Sequence, residues 1–239
     1  MKAVTYDFWN TLMWEEPGTV RATRRQQVEL ALEEAGLEVR PETIEQALLT
    51  ISELQRDGWM RGEPFHPEDG ARHFVGSLGH DLSEEHDRAV TEALLLSSAG
   101  PDLHVADGVP ETLEALKNNG VRIGIVCDVG LAPSTVLRGC LEAAGILHYF
   151  DGWAFSDEVG HYKPAPEIFR RALDSIGASP DHSIHVGDLR RTDVAGSRSF
   201  GMTAIRYAGV LEDDDLESAE ADRVISDHRE ILALPGLLD

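Results

Sequence analysis

The chain has 239 residues, 42% of them hydrophobic, enough to bury one sizeable core or a core carrying an inserted domain. Its 43 acidic and 21 basic residues give a formal charge of −22, which opposes binding to nucleic acid or to an anionic membrane surface; a small anionic substrate is not excluded, because local cations or a metal ion can reverse the field in one cleft. Two cysteines, Cys127 and Cys140, are too few for a disulfide framework; with no run near the roughly 18 apolar residues of a membrane span, a cytoplasmic protein is expected.

In chain order, residues 2–8 read as a buried parallel strand that ends near Asp7, and Asn10 is suited to a left-handed turn just beyond it. Glu15-Glu16-Pro17-Gly18 reads as a linker. Residues 20–35, 41–56, 67–78 and 83–97 have helical patterning and no convincing strand between them, which points to an all-helical insertion. Gly100-Pro101-Asp102 marks the return. A helix over 109–117 stops at Asn118-Asn119-Gly120, and a strand follows over 121–127. A helix is expected over 133–144, a short strand over 153–156, a helix over 166–176 and a strand over 183–187. Another helix starts near Thr192, a strand spans 203–207 and Val224-Ile225 adds a sixth. Strands alternating with helices imply a parallel, right-handed α/β sheet. The run Glu212-Asp213-Asp214-Asp215 is expected to be a solvated loop.

Three of these strands end on acidic or small residues: Tyr6-Asp7, Cys127-Asp128 and Gly187-Asp188. Carboxylates at the carboxyl ends of parallel strands face the crevice where open α/β sheets bind ligands. With Lys163-Pro164 between the second and third, the set suggests a site for a metal and an anion.

The ordered set resembles the haloacid dehalogenase-like hydrolases, in the subgroup with a helical cap inserted soon after the first strand. The family's Asp-x-Asp-x-Thr motif reads Asp7-Phe8-Trp9-Asn10-Thr11 here. Its strand ending in Ser or Thr ends in Cys127, its Lys is Lys163, and its Gly-Asp with a later Asp is Gly187-Asp188 and Asp193. The resemblance covers nearly the whole chain. It implies a Rossmann-like core of residues 1–14 and 100–239 and a cap of 15–99. It also implies Asp7 as the nucleophile that forms an aspartyl-phosphate, and Lys163 neutralising the transferring group. Mg²⁺ would be held by Asp7, Asp188 and the Trp9 carbonyl, with Asp193 as a ligand or outer support. Backbone N–H groups at Cys127 and Asp128 would hold a phosphate oxygen, with Asn10 nearby.

Two positions depart from the pattern. Trp9 stands where the family's phosphatases carry an acid that protonates the leaving oxygen, and an indole N–H is a donor that does not titrate usefully. Cys127 replaces a hydroxyl by a poorer donor. The family's dehalogenases also lack the acid at the first position, but they carry Tyr there, use no metal and lack the Gly-Asp pair kept here. The resemblance therefore implies a Mg²⁺-dependent phosphatase, with a carbon–halogen hydrolase or a non-catalytic phosphate-binding protein as alternatives. On the first inserted helix Arg21 and Arg25 share a face and are candidate anion-binding residues, against the alternative of solvated helix charges. Trp59-Met60 between two glycines is a candidate specificity loop. The expected partner is a small anionic molecule, with neither nucleic acid nor membrane, for a monomer or homodimer.

Overall fold

The structure, a computed structural model, describes residues 2–97 and 103–238. The expected return at Gly100-Pro101-Asp102, and with it the boundary at 99/100, lies outside the described residues. The chain divides into two compact units. One comprises Met1–Trp14, His104–Asp128 and Leu141–Asp239; the other comprises Glu15–Leu103 and Val129–Cys140.

The first unit is built on β1 (Ala3–Tyr6), whose four residues are all buried. A strand covered on both faces needs a continuous apolar run rather than an alternating one. After it come β2 (Met13–Glu15), the helices α1 (Thr19–Glu34), α2 (Pro41–Arg61), α3 (Pro67–Ser77) and α4 (Glu84–Leu96), then β3 (Leu103–Val105). The fold continues through α5 (Val109–Asn118), β4 (Arg122–Cys127), α6 (Ser134–Ala143), β5 (Gly152–Phe155), α7 (Ser156–Val159) and α8 (Pro166–Ile176). It closes with β6 (Ser183–Gly187), a π-helical turn at Arg190–Val194, α9 (Ala195–Ser199), β7 (Thr203–Tyr207) and β8 (Arg223–Ile225). The main sheet is parallel in the order β5-β4-β1-β6-β7-β8, the α/β Rossmann-like fold expected from the alternation of elements. Ile168, Phe169, Ala172, Leu173 and Ile176 form the buried stripe of α8 and share a core cluster with Ala3, Val126 and Ala154 of the sheet. Truncating one such buried aromatic, Phe169, to Ala would cost about 3–5 kcal/mol.

The second unit holds α1 to α4 around Val28, Leu32, Ile44, Ile51, Phe74, Val90 and Leu94. Leu131, from residues 129–140, is buried in the same cluster. Ser83 caps α4, its hydroxyl accepting from the His86 N–H at 3.3 Å.

The structure corrects three expectations. Met13–Glu15 and Leu103–Val105 pair as a separate two-stranded sheet; three-residue strands are too short to show a period in sequence. Helix α2 runs through Gly58 to Arg61 and ends at Gly62, which takes φ 72°. Trp59 and Met60 are therefore helical rather than a loop. Gly58 sits where an added Cβ would come within 3.0 Å of the Glu63 carbonyl oxygen, so here glycine marks close backbone approach, not a break. The acidic run is not simply solvated: Asp213 is buried and accepts from the Arg190 backbone N–H at 2.6 Å.

Candidate active site

Register fixes the site. Tyr6 of β1 lies opposite Ile125 of β4 and Val186 of β6, so three strands end at nearly one level. The chain leaves β1 for β4 on one side and leaves β6 for β7 on the other. The crevice at such a reversal is the usual ligand site of an open α/β sheet, and Asp7 and Asp188 stand beside it, just past β1 and β6. The Asp7 N–H extends the ladder to the Val186 carbonyl oxygen at 2.8 Å. The chain then turns sharply, with Asn10 at φ 55°, the left-handed conformation anticipated for it. The Phe8 carbonyl oxygen accepts from both Leu12 and Met13 N–H at 3.0 Å.

Gly187 shows why the residue before Asp188 has no side chain. An added Cβ would meet the Asp193 carboxyl carbon at 2.3 Å. That absence lets the π-helical turn bring Asp193 back against the end of β6. Lys163, buried between the ends of β1 and β6, donates from Nζ to Asp7 Oδ1 at 2.6 Å and to Asp193 Oδ1 at 2.7 Å. Its backbone N–H donates to Asp128 Oδ1 at 2.9 Å, and the Lys163–Pro164 peptide bond is cis.

One ammonium thus serves a pocket of three buried carboxylates. Burial works to raise the Asp193 carboxyl, but Lys163 and His185 outweigh it and hold the group well below the usual carboxylate range. It also accepts on Oδ2 from the Leu189 N–H and the Thr192 hydroxyl, both at 3.2 Å. Burial works to lower Lys163, but Asp193 and Asp7 outweigh it and push the ammonium well above its ordinary value. The deficit of positive charge falls on the other two acids. Burial raises Asp7 to about 7, with Lys163 opposing and Asp193 adding to the shift. Burial, then Asp7 and Asp193, drive Asp188 well above its ordinary value. Among the described residues its hydrogen-bond partner is the Asn10 amide, at 3.4 Å. Carboxylates this short of positive charge are a ready place for a cation.

The donor set fits one. Asp7, Asp188 and Asp193 each offer an oxygen within 4.8 Å of the others, and an all-oxygen set with few carboxylates suits Mg²⁺. Because both Asp193 oxygens are already engaged, Asp7 and Asp188 have the free capacity.

Cys127 ends β4 fully buried, its Sγ 3.5 Å from the Asp128 carbonyl oxygen. Burial, then the Asp7 carboxylate, push the thiol well above its ordinary value, so Cys127 is a small protonated group rather than a thiolate. Trp9 is half-buried, its ring edge-on to Phe8 at 5.0 Å. Arg21 and Arg25 belong to the helical unit, where both guanidiniums pair with Glu45 and Arg25 also with Glu29 at 2.9 Å. Both guanidiniums are more than two-fifths exposed in these pairs, and exposed ion pairs hold their partners only weakly.

Two residues here escaped the sequence reading. His185 and Thr5 are cross-strand partners on β6 and β1; His185 Nδ1 lies 2.9 Å from the Thr5 hydroxyl, and Nε2 lies 3.0 Å from Asp193 Oδ1. The signal was there, a histidine between Ile184 and Val186, because a polar side chain inside an apolar strand must find partners.

The sequence model of the haloacid dehalogenase-like hydrolases matches residues 1–201. The chain belongs to that family. Over 128 residues it is 35% identical to pyrophosphatase PpaX of Oceanobacillus iheyensis, covering 54% of this chain and 58% of that one. Over 113 residues it is 37% identical to glyceraldehyde 3-phosphate phosphatase of Methanothermobacter thermautotrophicus, covering 47% and 46%. The chain thus spans about half the length of these curated relatives. The crystal structure of a phosphatase of the family from Thermococcus onnurineus superposes with a TM-score of 0.67 at 28% identity, covering 98% of both chains. Among the described residues, no helix is long and apolar enough to cross a membrane.

Proposed function

We propose that the protein is a Mg²⁺-dependent phosphatase of a small phosphorylated metabolite, acting in the cytoplasm through a covalent intermediate on Asp7. The observation that carries this reading is the set of three buried carboxylates within 4.8 Å of one another, served by the single ammonium of Lys163. The names of the relatives, a pyrophosphatase and a phosphatase of a triose phosphate, support the substrate class.

Asp7 attacks phosphorus, forming an O–P bond as the bond from phosphorus to the leaving oxygen breaks; that oxygen departs with the electron pair. Water then attacks phosphorus as the Asp7 O–P bond breaks, its proton passing to bulk solvent, and phosphate and the Asp7 carboxylate are released. Splitting one displacement into two lowers each barrier. Bound Mg²⁺, held by Asp7 and Asp188 with the Trp9 carbonyl, would neutralise charge between nucleophile and substrate and supply Lewis acidity. Lys163 keeps Asp7 aimed and screens the transferring group. Backbone N–H groups at Cys127 and Asp128 receive a phosphate oxygen, with the Asn10 amide beside Asp188. The helical unit acts as a cap that sets selectivity.

Trp9 shapes the substrate range. With no acid at that position the leaving oxygen must depart as a weak base, as from an acyl phosphate, a phosphoanhydride or an aryl ester. The test is a screen of these esters, alkyl phosphates and 2-haloacids with Mg²⁺ and with a chelator, on the wild type, Asp7→Asn and Asp188→Asn. Mg²⁺-dependent release of phosphate, lost in Asp7→Asn and needing far more Mg²⁺ in Asp188→Asn, is the expected result. Chelator-resistant halide release would replace this reading by the dehalogenase one.

A further inference from the structure

We propose that His185 is a positioning residue that holds the Asp193 carboxylate, and through it the Lys163 ammonium, in line with Asp7; the proposal rests on the role given to Asp7 and Lys163 above. Neither residue of the Thr5–His185 pair touches the crevice in its own right. Both are fully buried, side by side on the two central strands. An aliphatic residue would satisfy the sheet at this position, where Phe169 packs edge-on to the ring at 5.2 Å. An imidazole brings two polar atoms into that interior, and each is used.

The partners fix the tautomer. An ionised carboxylate only accepts, so the 3.0 Å contact at Asp193 Oδ1 requires the proton on Nε2. In the neutral ring Nδ1 is then an acceptor, and the Thr5 hydroxyl donates to it at 2.9 Å. The alternative acceptor for that hydroxyl, the Ile184 carbonyl oxygen, is farther away at 3.4 Å. Thr5 therefore sets the ring, and the ring presents one N–H to Asp193.

Asp193 Oδ1 accepts from both His185 and Lys163. With His185 Nε2–H on one side of Oδ1 and the Leu189 N–H and Thr192 hydroxyl on Oδ2, the carboxylate cannot rotate. Its remaining direction points at Lys163 Nζ. A lysine is a flexible point charge on four methylenes, so two fixed acceptors, Asp193 Oδ1 and Asp7 Oδ1, are what give it an aim. Removing the His185 donor loosens the first acceptor and lets the ammonium move off the second.

The test uses the different reach of two amides. His185→Gln carries its NH₂ near the place of Nε2, and His185→Asn near that of Nδ1, too short to meet Asp193. On the phosphate ester that the wild type turns over fastest, with saturating Mg²⁺, His185→Asn and His185→Phe should lose about 10–100-fold in kcat, as loss of an outer-shell partner commonly does. KM should stay within about twofold and His185→Gln within about threefold of wild-type kcat. Equal kcat in Gln and Asn variants, high or low, would make His185 a filler of the core and overturn the proposal. If the Asn and Phe variants do not fold, the near-isosteric Thr5→Val carries the test. It should lower kcat several-fold beside His185 and leave His185→Gln unchanged; the same effect in both backgrounds overturns the proposal. Orthovanadate affinity by calorimetry, with Mg²⁺ present, should follow the same ranking without turnover. That ranking in an enzyme that turns over no phosphate ester would sink the phosphatase reading and keep the role of His185. No vanadate binding by the wild type would sink both.

Discussion

Mg²⁺ should stabilise the protein far more at pH 8 than at pH 5. Without metal, Asp7 is held at about 7 by burial against an ordinary value of 3.8. A carboxyl raised in this way keeps its proton in the folded state longer than in the unfolded one. Its contribution is therefore fully present below pH 3.8 and is lost as the pH rises through 7, by about 2–3 kcal/mol between pH 5 and pH 8. Asp188 shifts in the same direction. A simple pH series of melting curves would conceal this. Burial pushes His228 down to about 4, and a ring kept neutral by the fold withdraws stability as the pH falls from 6.5 towards 4. From pH 8 to pH 5 that is about 2 kcal/mol in the opposite sense. The difference between melting curves with and without Mg²⁺ cancels His228, which lies outside the metal site, and leaves the carboxylates.

At free Mg²⁺ about 100 times its Kd at pH 8, binding adds about 2.7 kcal/mol. At pH 5 one proton must leave a group that titrates near 7, so the apparent Kd weakens about 100-fold and the gain falls to about 0.4 kcal/mol. For a chain of this size 1 kcal/mol moves Tm by about 2–4 °C. The expected shifts by scanning calorimetry are thus about 5–11 °C at pH 8 and about 1–2 °C at pH 5. A shift of equal size at both pH values, or none at pH 8, would refute the reasoning that Asp7 and Asp188 are the metal carboxylates.

Restoring an acid in Trp9→Asp should raise kcat/KM for an alkyl phosphate more than for an aryl phosphate, within the roughly 10²–10⁴-fold that a placed general acid supplies; equal gains or losses on both esters, in a folded variant, would argue that position 9 is not an empty general-acid site. His228→Gln should flatten the acid limb of the stability curve, removing a loss of about 2–3 kcal/mol between pH 6.5 and pH 4, and an unchanged limb in urea titrations would reassign it. Glu220→Gln should destabilise the fold by about 1–3 kcal/mol, because Glu220 accepts from Arg190 at 2.8 Å and from Arg206 at 2.9 Å while those two guanidiniums are buried; an unchanged urea midpoint would show that Glu212 and Asp213 suffice.

Much of the core was legible because its signals are local. The apolar run ending at Tyr6-Asp7, the left-handed Asn10 and the glycine stop at 120 each act within a few residues. What escaped depends on partners distant in sequence. His185 has meaning only beside Thr5, 180 residues away, and Asp193. The acidic run looked solvated because Arg190 and Arg206, which fold Glu212, Asp213 and Glu220 against them, lie elsewhere in the sequence. Gly58 misled for a related reason: a break and a close approach to Glu63 look alike until the helix is seen to continue.

The charge of the site offers a physical reason why its two departures sit where they do. One ammonium already serves three buried carboxylates, and two of the three are driven upward for want of positive charge. An acid at position 9 would add a further anion to this group, and so would a reactive thiolate at 127 beside Asp7. Trp9 and a protonated Cys127 are both neutral. Each departure therefore spares the pocket one more anion, where Asp128 already adds its charge to those of Asp7, Asp188 and Asp193. On the phosphatase reading proposed above, neither the Trp9 indole nor the Cys127 thiol would serve as a good acid for a strongly basic leaving oxygen. On that same reading one residue, Trp9, would both spare the site an anion and favour weakly basic leaving groups.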